Sequence, residues 1–293
     1  MKVLITGGSG HLGRDLVGLL EDHGQAVRVL SRRGPLPGET GEWFRGDLAT
    51  GDGVADAVEG VDAIIHAATD SPAAQRGRFR AKDFIGSPRE VDVTGTRTLL
   101  DAAARGRVSH IVHVSIVGIE QSRLPYMRVK LAAEQLVREA NTPWSIVRAT
   151  SFYWLLDRLL ANMRRLPVWV LPRGLDLQPC DSRDFARHVV ACTLEGAGGL
   201  RADYAGPELI GLRELARQYQ QERDLRRPIV ALPLPEAAAR AAGGLPAGDA
   251  ILGSTTWRQW LRRGDEAPEP ARPGAPATVQ DGGPATGVAP HSG

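Results

Sequence analysis

Residues 2–13 of this chain read KVLITGGSGHLG: a short apolar run, four glycines within seven residues, then the start of an amphipathic pattern. No other stretch limits the fold as tightly. Lys2–Thr6 has the composition of a buried strand, and residues 10–23 form a helical pattern with Leu12, Leu16, Leu19 and Leu20 on one face. Gly8-x-Gly10-x-x-Gly13 fits the dinucleotide fingerprint, and Gly7-x-x-Gly10-x-x-Gly13 fits a variant of it. One glycine permits the turn, a second lets backbone approach a pyrophosphate, and a third lets helix pack on strand. The free N–H groups of the helix start then attract the phosphates. Ser9, His11 and Leu12, interleaved with these glycines, join Gly7, Gly10 and Gly13 as cofactor-binding candidates. A plain strand–helix turn is the alternative. The strand before, the helix after and the position at the chain start favour the fingerprint.

The rhythm continues. Strand patterns at residues 26–30, 43–45, 63–66, 110–115 and 144–148 alternate with helical patterns at 52–58, 88–105 and 127–140. Such alternation predicts an α/β fold, a doubly wound parallel sheet of Rossmann type covered by helices on both faces. Residues 1–150 are expected to form this cofactor domain. Beyond it the periodicity loosens: helices are expected at 152–163, 184–194, 212–222 and 236–242, with candidate strands at 168–171, 175–177 and 229–232. Residues 151–263 read as a smaller substrate lobe over the strand ends, with some segments open to returning to the main sheet. From Gly264 onward Pro, Gly and Ala dominate, and residues 264–293 read as a disordered tail.

The end of the second strand bears on cofactor choice. An NAD site usually places an acid there, about 20 residues past the glycines, for the ribose 2′-hydroxyl. Here the strand ends Leu30-Ser31-Arg32-Arg33, and a hydroxyl with two guanidiniums suits a 2′-phosphate. NADP(H) is therefore expected in preference to NAD(H), a solvated basic turn being the alternative.

Tyr126 and Lys130 lie four residues apart, on one face of a helix that follows the fifth strand. Open α/β sheets place ligands at that end. An ordinary tyrosine is a weak acid–base catalyst at neutral pH, and a nearby ammonium is expected to draw it toward phenolate. Tyr126 then exchanges a proton with a carbonyl or alcohol oxygen, and Ser115, at the end of the fifth strand, hydrogen-bonds the same oxygen. Structural roles for Tyr126 and Ser115 as a helix-start aromatic and a strand-end hydroxyl stand beside this reading.

Net charge is +2, which gives no argument for nucleic acid or an anionic membrane surface. No apolar run reaches the length of a membrane span, no leader pattern opens the chain, and a cytoplasmic location is the expectation. Cys180 and Cys192 form no CxxC and no cluster with the histidines, so reduced thiols and no metal site are expected. Oligomeric state is not legible.

Seven segments in order, TGGSGHLG (6–13), GDL (46–48), HAA (66–68), VDVTGT (91–96), HVSIVG (113–118), YMRVKLAAE (126–134) and WSIVRAT (144–150), resemble the short-chain dehydrogenase/reductase superfamily. The resemblance is to its extended and atypical branch, with the NmrA-like and NAD(P)H-binding proteins. It implies that Gly7, Gly10 and Gly13 hold the pyrophosphate, that Asp47 and Leu48 lie along the adenine, and that Ala67 and Ala68 pass under the ribose and nicotinamide. It also implies that Lys130 binds the nicotinamide ribose, and that residues from Thr150 to Trp154 close over the nicotinamide and begin the substrate pocket. Phe152 and Trp154 are thus candidate contacts for an apolar or aromatic small molecule, core packing being the other reading of these rings. Asp92 departs from the pattern, standing where many members of the superfamily have Asn. Two functions follow: an NADP-dependent oxidoreductase of a carbonyl or alcohol, or a non-enzymatic NADP-binding regulator, against which the intact Ser115, Tyr126 and Lys130 argue. Sugar-nucleotide epimerisation uses the same three residues but is disfavoured, because the second lobe carries no clear basic cluster for a diphosphate.

Overall fold

The computed structural model describes residues 1–35, 39–70, 89–122, 124–233, 245 and 248–264. The expected helix at 236–242 and the tail beyond Gly264 lie outside these.

β1 (Lys2–Thr6) and α1 (His11–Asp22) flank the glycine turn; β2 (Ala26–Ser31), β3 (Glu42–Arg45), α2 (Val54–Val58) and β4 (Ala63–His66) follow. Next comes a π-helical turn, Glu90–Gly95, which runs directly into α3 (Thr96–Arg105). β5 (His110–Ile116), α4 (Pro125–Arg138) and β6 (Trp144–Ala149) complete the repeating part. Beyond it lie α5 (Tyr153–Asn162), β7 (Trp169–Arg173), β8 (Asp176–Leu177), α6 (Ser182–Glu195), β9 (Gly199–Leu200), β10 (Tyr204–Ala205) and β11 (Ile210–Gly211). α7 (Leu212–Glu222), β12 (Ile229–Pro233), β13 (Ile251–Leu252) and α8 (Trp257–Arg263) end the described chain.

The main sheet runs β3-β2-β1-β4-β5-β6-β10-β13, with β9 also on β6, and every pairing in it is parallel. The reversal of strand order between β1 and β4 opens a crevice at their C-terminal ends, where a Rossmann-type sheet receives its ligand. Parallel strands need cover on both faces, and β1 and β4 are accordingly buried on successive residues rather than alternately. Val3, Ile5, Leu16 and Leu20 join Phe185 and Val189 in a core under α1 and α6. Leu4, Ile64, Ile111 and Ile146 join Leu99 and Val58 in a core on the other face.

Residues after 150 serve two places. α6 packs beside α1 on the main sheet, and β9, β10 and β13 widen that sheet past β6. A third core, built on Tyr153, Leu156, Trp169, Leu215, Trp257 and Trp260, joins α5, α7 and α8 to the β7–β12 pair. The loop from β13 to α8 is tied to α6, because Asp184 accepts hydrogen bonds from the backbone N–H of Ser254 at 3.0 Å and of Thr255 at 2.8 Å.

Candidate cofactor and catalytic site

The glycine turn is held by close backbone approaches. Gly7 has φ +78°, in the left-handed region, and a Cβ there would lie 2.8 Å from Ala68 N and 2.9 Å from Ala67 O at the end of β4. A Cβ on Gly13 would overlap the Gly7 carbonyl and Gly8 Cα. Gly10 differs: it is exposed, its φ is −81°, and a Cβ would meet only the Gly7 carbonyl oxygen, at 3.3 Å. Gly10 is the N-cap of α1 and no side chain caps it. The N–H groups of His11, Leu12 and Gly13 open the helix without intrahelical acceptors, and with Ser9 they ring the turn. Free N–H groups at such a helix start have the chemistry to hold a pyrophosphate.

At the end of β2, Ser31 is buried and its Oγ accepts from Arg33 N at 3.2 Å, which turns the chain outward. Arg32 and Arg33 are exposed and pair with no carboxylate among the described residues. At the end of β3, Asp47 Oδ1 accepts from Ala49 N at 2.9 Å, and Leu48 is buried against Gly95, whose Cβ would stand 2.8 Å from that of Leu48.

A hydrogen-bonded line ties β1, β4 and the π turn together. Thr96 Oγ1 donates to the Asp92 carbonyl at 2.6 Å, so it accepts from His66 Nε2 at 2.9 Å. His66 Nδ1 is then the acceptor for the Thr6 hydroxyl at 2.7 Å. Burial, reinforced by the Lys130 charge, lowers the pKa of His66 to about 3, so the ring is neutral. His113, on β5, has a pKa pushed well below the ordinary value by burial and by the same lysine, and neither of its ring nitrogens has a partner.

That line positions Asp92, which is 1% exposed. Its Oδ1 lies 3.3 Å from Lys130 Nζ and accepts from Thr69 Oγ1 at 2.8 Å, while Oδ2 accepts from Asp70 N at 3.0 Å. Thr69 Oγ1 in turn lies 3.4 Å from the Tyr126 hydroxyl. α4 carries Tyr126 and Lys130 with Pro125 at its first turn, a residue that suits a helix start. Ser115 shares the face of β5 that carries His113; it is buried, and its Oγ has no hydrogen-bond partner. A buried hydroxyl left open in this way is suited to receive a ligand oxygen.

One expectation is corrected. Lys130 draws Tyr126 toward phenolate as expected but does not prevail: burial, the largest cause, raises the phenol's pKa above its ordinary value, Lys130 lowers it, Asp92 raises it, the Thr69 hydrogen bond lowers it and Asp70 raises it. The ammonium is itself held charged, because Asp92 and Tyr126 outweigh its burial. The sequence singled out Asp92 only as a departure and missed Thr69, although Thr69 directly follows the HAA segment.

Phe152 and Trp154 both have packing partners. Phe152 leans on Phe185 with ring centroids 5.7 Å apart, and Trp154 stacks on His11 at 4.5 Å and 9°. Trp154 therefore stands beside the start of α1. Tyr153, between them, faces the third core and donates to the Thr255 carbonyl at 2.9 Å. Thr150 Oγ1 is spent on the Gln178 carbonyl at 2.6 Å.

Cys180 and Cys192 are buried free thiols, and burial raises the pKa of Cys180 to about 12. No described helix is long and apolar enough to cross a membrane. Among the described residues no group of three or more His, Cys, Asp or Glu could hold a metal ion.

The parallel sheet, its switch point and the glycine cradle define a dinucleotide-binding protein. A family profile described as NAD(P)H-binding matches residues 7–155, and the chain belongs to that family, within the extended short-chain dehydrogenase/reductase superfamily. The chain is similar to the photosystem II assembly factor Ycf39 of Cyanophora paradoxa, 27% identical over 194 residues that cover 64% of this chain and 57% of the relative. It thus spans under three fifths of that relative's length. It is 32% identical over 248 residues to the (4-alkanoyl-5-oxo-2,5-dihydrofuran-3-yl)methyl phosphate reductase of Streptomyces griseus, covering 82% of this chain and 79% of the relative. A 4-hydroxy-2-methyl-3-oxo-4-farnesyl-3,4-dihydroquinoline-1-oxide ketoreductase of Stigmatella aurantiaca is 26% identical over 288 residues, 88% of this chain and 81% of the relative. Among solved structures, MoeE5 in complex with UDP-glucose and NAD superposes with a TM-score of 0.68 over 91% of this chain and 98% of that one, at 20% identity, a likeness of fold.

Proposed function

We propose that the chain is an NADP(H)-dependent reductase of a carbonyl group on a small, apolar or aromatic substrate. The observation that carries the reading is the arrangement at the C-terminal ends of β4 and β5. Ser115 ends β5 with an open buried hydroxyl, protonated Tyr126 meets Thr69 just after β4, charged Lys130 lies one helical turn further along α4, and the uncapped glycine turn meets the end of β4 through Gly7. NADPH, when bound, supplies the hydride. Tyr126 gives the oxygen its proton, Ser115 donates a hydrogen bond to the same oxygen, and Lys130 holds positive charge beside the developing alkoxide. Arg32 and Arg33 take the 2′-phosphate, with Ser31 shaping their turn. Similarity to a ketoreductase and to a second reductase supports the reaction class.

The likeness to an assembly factor supports a second reading, an NADP-binding protein without turnover. A panel of carbonyl substrates followed at the nicotinamide absorbance separates the two. In the enzyme reading Tyr126→Phe loses at least about a hundredfold in turnover, the low end for general acid catalysis, and keeps its NADPH affinity. Wild-type turnover in that variant sinks the tyrosine mechanism. Tight NADPH binding with no carbonyl reduced puts the second reading first.

A further inference from the structure

We infer that the second lobe carries an oxyanion-binding pocket of its own, between α7 and the turn into β12, that takes the phosphate or carboxylate group of a small molecule. The pocket has a volume of about 280 Å³ and is lined by Arg217, Gln220, Gln221, Leu225, Arg227 and Ile229. None of the residues assigned to the cofactor or to proton transfer is among them, so the pocket is separate from the site at the ends of β4 and β5.

The turn after α7 builds it. The chain reverses through Asp224, at φ +49°, and Leu225 N donates to the Gln220 carbonyl at 2.8 Å. Pro228 then leads into β12, its carbonyl accepting from Trp169 N at 2.8 Å. Arg227 is thereby returned to the last turns of α7, where its backbone N–H donates to Gln220 Oε1 at 2.9 Å. Arg217 and Arg227 stand ten residues apart in the chain, and only this turn sets them around one pocket, so no basic run marks it in the sequence. The opposite face of α7 sends Leu215 and Tyr219 into the third core, which fixes the helix that carries Gln220.

Gln220 sets the chemistry. It is 7% exposed. Its Oε1 is committed to a backbone N–H, and turning the amide round would set N–H against N–H. The group left over is Nε2, a buried donor with no hydrogen-bond partner, and folded proteins seldom leave such a group open. Gln221 likewise spends its Oε1, on Arg258 Nη2 at 3.0 Å, so N–H is what it has left to offer. Arg227 is exposed and pairs with no carboxylate among the described residues. Arg217 holds Glu214 at 3.2 Å in an exposed pair, a weak contact that a ligand can displace. No carboxylate side chain is among the lining residues. Two guanidiniums and two amide N–H groups with no acid between them suit an oxyanion, since guanidinium matches paired oxygens and the amides take those that remain. Leu225 and Ile229 supply an apolar wall. The volume lies near the small end of ligand pockets, which start at about 300 Å³, and leaves room for a short apolar group beside the anion.

The test is calorimetric titration of the full chain with sodium phosphate and, separately, with sodium acetate, in chloride buffer with NADPH at saturation. Saturable binding of at least one anion, tighter than about 10 mM, is expected. Phosphate alone assigns the pocket to phosphate esters, acetate alone to carboxylates, and both to oxyanions at large; binding of neither overturns the proposal. Q220E keeps the acceptor for Arg227 N and puts negative charge where Nε2 stood, so affinity should fall at least about tenfold. R227A keeps that backbone bond and removes one guanidinium, with a fall of the same order. R226A, exposed and outside the lining, should bind as the wild type does. Melting temperatures without anion show which variants remain folded, and R227A carries the test alone should Q220E unfold. Wild-type affinity in a folded Q220E or R227A, or an equal loss in R226A, overturns the proposal. The variants localise binding to this pocket whatever the cofactor site does, so the outcome is independent of the reductase reading.

Discussion

Replacing Gly7 and Gly10 separately by alanine should divide the glycine turn into its structural and its ligand-binding halves. At Gly7 the alanine Cβ meets Ala68 N at 2.8 Å and Ala67 O at 2.9 Å, on a backbone at φ +78°. The left-handed conformation costs roughly 1–2 kcal/mol with a side chain. Relieving the overlap requires the turn and the end of β4 to part by about half an ångström, and overpacking of that order costs about 1–3 kcal/mol. Gly7→Ala should therefore lose roughly 2–5 kcal/mol, a fall in melting temperature of about 5–15 °C for a chain of this size. At Gly10 the backbone is extended and the only close neighbour is the Gly7 carbonyl oxygen at 3.3 Å. Gly10→Ala should cost no more than about 1 kcal/mol, the difference between these residues at an N-cap. Its methyl group nevertheless projects where a phosphate must approach the helix start, so NADPH affinity should fall at least about tenfold, or about 1.4 kcal/mol. Thermal melts with titration of NADPH fluorescence read both quantities. A Gly10→Ala protein that binds like the wild type, or a Gly7→Ala protein that melts like it, refutes the assignment of roles.

Two further outcomes are expected. Exchanging Arg32 and Arg33 together for alanine should reduce the preference for NADPH over NADH at least about tenfold without lowering the melting temperature, since both side chains are exposed; unchanged selectivity places the 2′-phosphate elsewhere. Stability should decline on acidification: the folded chain excludes a proton from His66 between its pKa of about 3 and the ordinary 6.5, while the unfolded chain binds it. The stability that neutral His66 secures is complete above 6.5 and is lost as pH falls toward 3, at up to about 1.4 kcal/mol per pH unit. Urea unfolding at several pH values measures the slope, and His66→Asn should flatten it.

The glycine turn was legible because its pattern is local: strand, turn and helix start lie within a dozen residues, and Gly10 and Gly13 answer contacts of the turn with itself, although Gly7 answers the approach of Ala67 and Ala68 after β4. The strands of the parallel sheet through β6 followed from the alternation of periods in the same way, whereas their order, which reverses between β1 and β4, is set by the fold. β9, β10 and β13 were invisible for the opposite reason. Each has two residues, too few for any period, and each exists because a neighbouring strand edge offers it partners. The π turn at Glu90–Gly95 was read as ordinary helix, since nothing in a run of apolar and polar residues marks one extra residue per turn. The aromatic run at 152–154 shows how position and direction separate: its place after β6 was readable, whereas the three rings face three different neighbours, Phe185, Trp257 and His11.

The Tyr–Lys spacing marks a further boundary between what a motif states and what it leaves to the fold. Four residues on a helix bring a phenol and an ammonium to one face whatever surrounds them. Their joint effect depends on burial, which raises the Tyr126 pKa, and on a third charge brought from 38 residues upstream by a π turn that is itself tied through Thr96, His66 and Thr6 to β1. Had residue 92 been uncharged, the pKa of Tyr126 would lie lower, while burial, the largest cause of its rise, would remain. With a buried carboxylate against Lys130, the same two residues hold a proton ready to give. Local spacing selects the reacting groups, and burial together with the long-range ion pair raises the pH at which the tyrosine gives up its proton.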